Sequence, residues 1–229
     1  MRYALLAVCL GLAACATATP IAVEAAPRGD AAGSGLAAAL PADAGTSLNP
    51  ADAPAGAYEL DGRHANVTWR IRHMGLGIYV GRFDTIAGQL SFDPQNPAAS
   101  TINVTIDANS VSTGLLNQQG ERAFDREIAN VLGAEQHPEI SFVSRAVEVT
   151  GPATGLIRGD LTLNGQTHPV VLEAQFQGGK HVALRNKHVL AFSGRTIIQR
   201  SQWGAGSLIF DQFTGDAVEI IIEAEFIQA

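Results

Sequence analysis

The sequence predicts an all-β protein, an antiparallel barrel of about eight strands that carries one substantial α-helix. Three observations predict it. Apolar and polar residues alternate with period two in segment after segment beyond residue 58. Turn-forming clusters separate those segments, and a single stretch switches to helical spacing.

The strands follow in order. Val67, Trp69 and Ile71 alternate with Thr68, Arg70 and Arg72, which puts one set inside and the other outside. Ile102, Val104 and Ile106 alternate with Asn103, Thr105 and Asp107 in the same way. Near the end, Val218, Ile220, Ile222, Ala224 and Phe226 form the longest alternating face. Shorter stretches of this kind span 88–92, 140–149, 156–163, 170–176 and 189–198. Between them stand the turn signals Asp93-Pro94-Gln95-Asn96-Pro97, Thr150-Gly151-Pro152, Asn164-Gly165 and Gly178-Gly179. Asn164-Gly165 is the pair that favours a two-residue type I′ hairpin, because both positions need positive φ.

Residues 119–132 break the pattern. Phe124, Ile128, Val131 and Leu132 recur at helical spacing, with Gly133 to close the helix and His137-Pro138 to stop the chain from continuing it. One helix among so many antiparallel strands points to a closed barrel, since closure leaves no exposed strand edge. A two-sheet sandwich is the alternative architecture.

Ahead of the strands the chain has a different character. From Tyr3 to Ala14 it is apolar or small and uncharged, too short for a permanent membrane helix of about 20 residues and the length of a signal-peptide core. The stretch ends in Leu12-Ala13-Ala14-Cys15, which resembles a bacterial lipobox and makes Cys15 the expected lipid anchor. Residues 1–14 are therefore expected to be a lipoprotein signal peptide. An ordinary signal peptide with Cys15 incidental is the alternative. Residues 15–57, more than half Ala, Pro and Gly, read as a flexible tether reaching roughly 35 Å. Residues 58–229 have the size of one domain.

Charge and cysteine usage exclude several functions. A net charge of −7 without a basic stripe argues against a nucleic-acid partner. Both cysteines, Cys9 and Cys15, lie in the N-terminal segment, so the domain has no disulfide, thiolate metal site or cysteine nucleophile. His64 and His73 are nine residues apart on one strand and cannot share a metal ion across its two faces. His181 and His188, near Lys180, Arg185 and Lys187, read as a solvated loop. No nucleophile elbow, metal-ligand cluster or phosphate loop is present, so no catalytic residue is expected.

The order and spacing of several segments resemble the YceI-like, lipocalin-like polyisoprenoid-binding domains. Tyr58-Glu59-Leu60-Asp61 with His64 resembles that family's opening strand, and Val80-Gly81-Arg82-Phe83 with residues 88–93 its next hairpin. Val111-Ser112-Thr113-Gly114 resembles the turn before its helix, and residues 122–142 that helix and the strand after it. The most specific match is Gly159-Asp160-Leu161-Thr162-Leu163-Asn164-Gly165-Gln166-Thr167-His168-Pro169-Val170. Arg200, Trp203 and Gly204 are similar to a late R-x-x-[FW]-G element.

The resemblance implies a lipocalin-like barrel with a long apolar cavity that holds an isoprenoid tail of quinone or polyprenyl type, and no other cofactor. Trp69, Phe83, Phe92, Phe142, Phe176 and Phe192 then either line the cavity or fill a core. Val104 and Ile106 share one strand face and are candidates for contact with the ligand. Arg200 and Trp203 either frame the mouth and meet a headgroup or form a structural arginine–aromatic pair. Carriage, storage or sensing of the lipid is the leading expectation. The alternatives are a solid barrel whose loops bind another envelope protein, and an enzyme acting on a lipid headgroup. The expected location is the cell envelope. Ala16 after the cysteine resembles the sorting signal for the outer membrane, with the barrel facing the periplasm. A homodimer is the one self-association left open.

Overall fold

The computed structural model describes residues 41–207 and 209–229. The signal peptide, Cys15 and the first part of the expected tether lie outside them. Among the described residues ten strands form: β1 (Gly56–His73), β2 (Gly77–Phe83), β3 (Ile86–Phe92), β4 (Thr101–Asp107), β5 (Val111–Ser112), β6 (Glu139–Val149), β7 (Thr154–Leu163), β8 (Gln166–Val182), β9 (Lys187–Gln199) and β10 (Thr214–Gln228). β2 and β3 run one after the other along β1, and β5 continues β4 past a 3-10 turn at Ala108–Ser110. Each of these pairs is one bent strand. The barrel therefore has eight staves, all antiparallel, and β1–β10 pairing closes it from Tyr58↔Gln228 to His73↔Thr214. Continuous closure excludes the two-sheet sandwich.

Antiparallel pairing gives the barrel two different ends. One carries the β1–β2 and β7–β8 hairpins, helix α1 (Ala123–Val131) and the short helical turn α2 (Phe210–Phe213). The other carries the β3–β4, β6–β7 and β8–β9 loops and the incoming N-terminal segment. Asn164 and Gly165 take φ of 51° and 69°, as a type I′ turn demands.

Three local expectations need correction. The helix starts at Ala123, not at residue 119, because Asn117 folds the preceding residues into a loop. Its side chain accepts from the Gln119 and Glu121 amides, and Gly120 sits at φ 79°. The other end is as expected: Ala134 N–H donates to Ala129 O and Gly133 N–H to Asn130 O, a Schellman closure. Gly178-Gly179 is not a turn but a bulge inside β8, and the β8–β9 turn lies at 183–186. The expected tether is also shorter. Ser47 and Gly179 exchange both backbone hydrogen bonds at 2.9 Å, Asn49 caps a 3-10 turn at Pro50–Asp52, and the Tyr58 hydroxyl donates to Pro54 O at 2.7 Å. A Cβ on Gly178 would strike Thr46, so the glycine pair admits this close backbone approach.

Two groups of buried side chains anchor the ends. Toward the helix end, Ala108, Val111, Ile140, Leu161, Leu163, Ile198 and Trp203 pack together. Toward the loop end, Tyr58, Leu90, Phe92, Phe176, Leu190 and Phe226 do so. The barrel's outer face carries ion pairs such as Arg70–Glu219–Arg195, at 2.8 and 2.7 Å.

Candidate functional site

The inward faces of the staves do not meet. Between the two buried groups lies a cavity of about 480 Å³, within the range of small-molecule sites. Strand alternation builds its wall: Trp69 and Ile71 from β1, Ile102, Val104 and Ile106 from β4, Val218, Ile220 and Ile222 from β10. Trp69, Phe83, Phe92, Val104, Ile106, Phe142, Phe176, Phe192 and Arg200 all lie in this wall. Trp203 does not. It is 1% exposed, its Nε1 donates to Leu161 O at 3.0 Å, and its ring stands edge-on to His168 with centroids 5.0 Å apart. Of the two readings open for Trp203, a headgroup contact or a structural arginine–aromatic pair, the geometry favours a structural role, with the indole N–H bound to β7 and His168 as the ring's neighbour.

Arg200 borders the cavity but is fully engaged. Its Nε donates to Gly215 O at 3.0 Å, and Nη1 donates to Ala205 O at 2.8 Å and Asp211 Oδ1 at 2.7 Å. Nη2 reaches Thr214. No other charged residue lines the cavity among the described residues. Its two ends differ in chemistry. At the loop end Phe92 stacks on Phe176 and Phe192 stands edge-on to both, with centroids 5.3–6.5 Å apart, beneath Pro50, Pro94, Pro97 and Ala153. At the helix end Trp69, Tyr79, Phe124 and Phe210 form a chain with successive centroids 6.1, 5.9 and 5.9 Å apart. In that chain Trp69 Nε1 and the Tyr79 hydroxyl are buried without a hydrogen-bond partner.

The sequence reading missed Tyr79 and Phe210 in this wall, and Phe124 was visible only as part of a helix face. Tyr79 carries a signal, since it alternates with Gly81 and Phe83 in β2. Phe210 sits in a four-residue turn with no periodicity to read. His181 and His188 are not in a loop but face each other across β8–β9, ring centroids 5.1 Å apart. His64 Nδ1 donates to Asp61 at 2.9 Å in a β1 bulge, where Arg185 also donates to Asp61 at 2.8 Å. The Arg185 guanidinium first, and His64 after it, hold the Asp61 carboxyl well below the usual carboxylate range. No group of metal-ligating side chains occurs among the described residues. No helix among them is long and apolar enough to cross a membrane.

Comparison with known proteins fits this architecture. Residues 58–226 match the family described as the YceI-like domain. The protein YceI of Escherichia coli is 41% identical over 128 residues, covering 55% of this chain and 64% of that protein, just under two thirds of its length. Among solved structures, Burkholderia cenocepacia BcnA superposes with a TM-score of 0.62 at 23% identity, over 72% of this chain and 98% of that one. A polyisoprenoid binding domain from Saccharophagus degradans, implicated in plant cell wall breakdown, superposes with a TM-score of 0.56 at 14% identity, over 75% of this chain and 98% of that one. Those two likenesses establish the fold.

Proposed function

The chain belongs to the YceI-like domain family, and on that premise we propose that it binds a long apolar isoprenoid lipid, of quinone or polyprenyl type, inside its barrel. One observation carries the reading: a closed barrel keeps a cavity of about 480 Å³ whose only charged border among the described residues, Arg200, is satisfied by the protein itself. Such a space rewards a hydrocarbon at about 0.8 kcal/mol per buried methylene and penalises an unpaired charge. The fold shared with a polyisoprenoid binding domain supports the same ligand class. A solid interaction barrel would have filled this volume with side chains. An enzyme would need converging titratable groups at the site, and among the described residues the wall offers Arg200 and the Tyr79 phenol alone.

The Leu12-Ala13-Ala14-Cys15 stretch supports an envelope location, with Cys15 acylated and the barrel tethered to a membrane, the outer one facing the periplasm. A lipid buried this extensively leaves for water slowly, so a tether that holds the barrel beside a bilayer lets it exchange cargo directly. Native mass spectrometry on protein purified from membranes tests the binding. The expected spectrum contains a noncovalent adduct that organic solvent strips and that fragments as a prenyl chain. Ligand-free protein, even after incubation with prenyl lipid, would overturn the proposal.

A further inference from the structure

On the lipid-binding reading above, we propose that residues 46–53 form a strap that opens and closes the loop end of the cavity. The strap lies outside the family match, which begins at residue 58.

Its position comes first. Asn49, Pro50 and Ala51 line the cavity at the loop end, together with Pro94 and Pro97 of the β3–β4 loop and Pro152 and Ala153 of the β6–β7 turn. The strap thus completes a wall that the barrel alone leaves short.

Attachment decides whether such a wall moves. The strap meets the barrel through two backbone bonds between Ser47 and Gly179, each 2.9 Å, and Ala53 packs on the loop-end side chains. Most of its polar bonds are internal. Ser47 Oγ donates to Asp52 at 2.6 Å, Asn49 Nδ2 donates to Asp52 at 3.2 Å, and the Asn49 side chain accepts from Ala51 N–H. None of its residues is buried. It can therefore leave the barrel as one self-knit piece, losing two hydrogen bonds and little apolar contact, as segments that open locally do. The Tyr58 hydroxyl, which donates to Pro54 O at 2.7 Å, holds the chain just past the strap and supplies the pivot.

The opposite end is fastened differently. Buried Asp125 of α1 accepts from the Thr113 amide at 2.9 Å and the Thr113 hydroxyl at 2.6 Å, and Ala129 packs into the helix-end core. Moving α1 would strip a buried carboxylate of its donors, whereas lifting the strap exposes no such group. The strap is the cover that yields, and ligand exchange runs past it.

Stopped-flow mixing of the full chain with ubiquinone-2, read as quenching of tryptophan fluorescence, gives the rates of entry and release. Ser47→Pro removes the N–H that donates to Gly179 O and the hydroxyl that ties Asp52, and changes no residue of the cavity wall. Both rates are expected to rise together by about fivefold, the effect of one lost hydrogen bond on the open fraction, with the affinity unchanged. The converse variant is Thr46→Cys with Gly178→Cys, in a chain that also carries Cys9→Ser and Cys15→Ser. A Cβ on Gly178 would stand 2.5 Å from Thr46 Cγ2, so a disulfide spans the seat of the strap. Backbone strain at residue 178 is common to both redox forms and cancels between them. The oxidised form is expected to exchange about tenfold more slowly than the same protein after reduction, because its open fraction is reduced. Unchanged rates in Ser47→Pro overturn the strap while the lipid-binding reading stands. Faster release with unchanged entry also overturns it, since that is the loss of a wall contact and not of a gate. Equal rates in the oxidised and reduced forms do the same. Ubiquinone-2 that binds none of these proteins overturns the strap and the lipid-binding reading together.

Discussion

The indole of Trp69 lies across Gly81, its partner in the β1–β2 register. A Cβ on residue 81 would stand 2.8 Å from Cη2 and closer still to Cζ2 and Cε2. The missing side chain on β2 is what allows a tryptophan on the inner face of β1 at that level. It also lets the ring lean toward Tyr79, two residues from Gly81 on the same face. A glycine in mid-strand thus sets the shape of the cavity wall.

Gly81→Ala should accordingly push the indole out of place. The expected cost is the overpacking strain of about 1–3 kcal/mol, with a shifted Trp69 emission and weakened uptake of prenyl quinone. Thermal denaturation and fluorescence check it together. Unchanged stability with wild-type emission would mean that the ring is free to lie elsewhere.

Trp203 should behave in the opposite way. Trp203→Phe removes the donor to Leu161 O in a fully buried position, so destabilisation of about 1–3 kcal/mol is expected. Lipid binding per mole of folded protein should stay at the wild-type level. Denaturant titration and lipid extraction separate the two effects, and a binding loss at full stability would return Trp203 to the ligand site.

Acid should loosen the β1 bulge. Arg185, His64 and the Arg63 amide hold Asp61 as a carboxylate, with its pKa lowered in the folded state. Between the unfolded value of about 4 and that lower value, the unfolded chain binds the extra proton. The stabilisation is therefore complete above about pH 4 and is lost progressively as pH falls below it. Asp61→Asn is expected to flatten this part of the stability profile, measured as thermal midpoint from about pH 6 to about pH 3. Parallel profiles for the two proteins would place the acid sensitivity elsewhere.

Cys15→Ser tests the tether. The variant should lose radiolabelled palmitate and leave the membrane fraction, while the barrel from Gly56 onward folds as before. Equal palmitate incorporation in both proteins would contradict a lipid anchor at Cys15.

The staves were legible in the sequence because a half-buried strand must alternate, and every inward aromatic predicted from that alternation reached the cavity wall. Alternation does not reveal whether inward side chains meet or leave space, so Trp69 and Phe142, each taken alone, read slightly better as core than as lining. Trp203 stayed open between mouth and structure because a sequence shows that an indole is present, not that its N–H is already bound to β7. The Gly178-Gly179 pair misled in a related way. Glycine signals freedom of the backbone, and here that freedom admits a docked segment, not a reversal of the chain. Phe210 was invisible, since a four-residue turn has no period.

On the function proposed above, an isoprenoid lipid occupies the space inside the barrel. Val104 is the most direct place to test it. It faces the cavity between Gly88 on β3 and Phe142 on β6, and a larger side chain there extends into open volume. Wild type and Val104→Trp are purified from membranes and extracted with organic solvent, and prenyl lipid is quantified per mole of folded protein. Substantial lipid is expected in the wild type and a strong loss in Val104→Trp, with little change in stability. Lipid-free wild type together with a Val104→Trp variant destabilised by overpacking, about 1–3 kcal/mol, would contradict it.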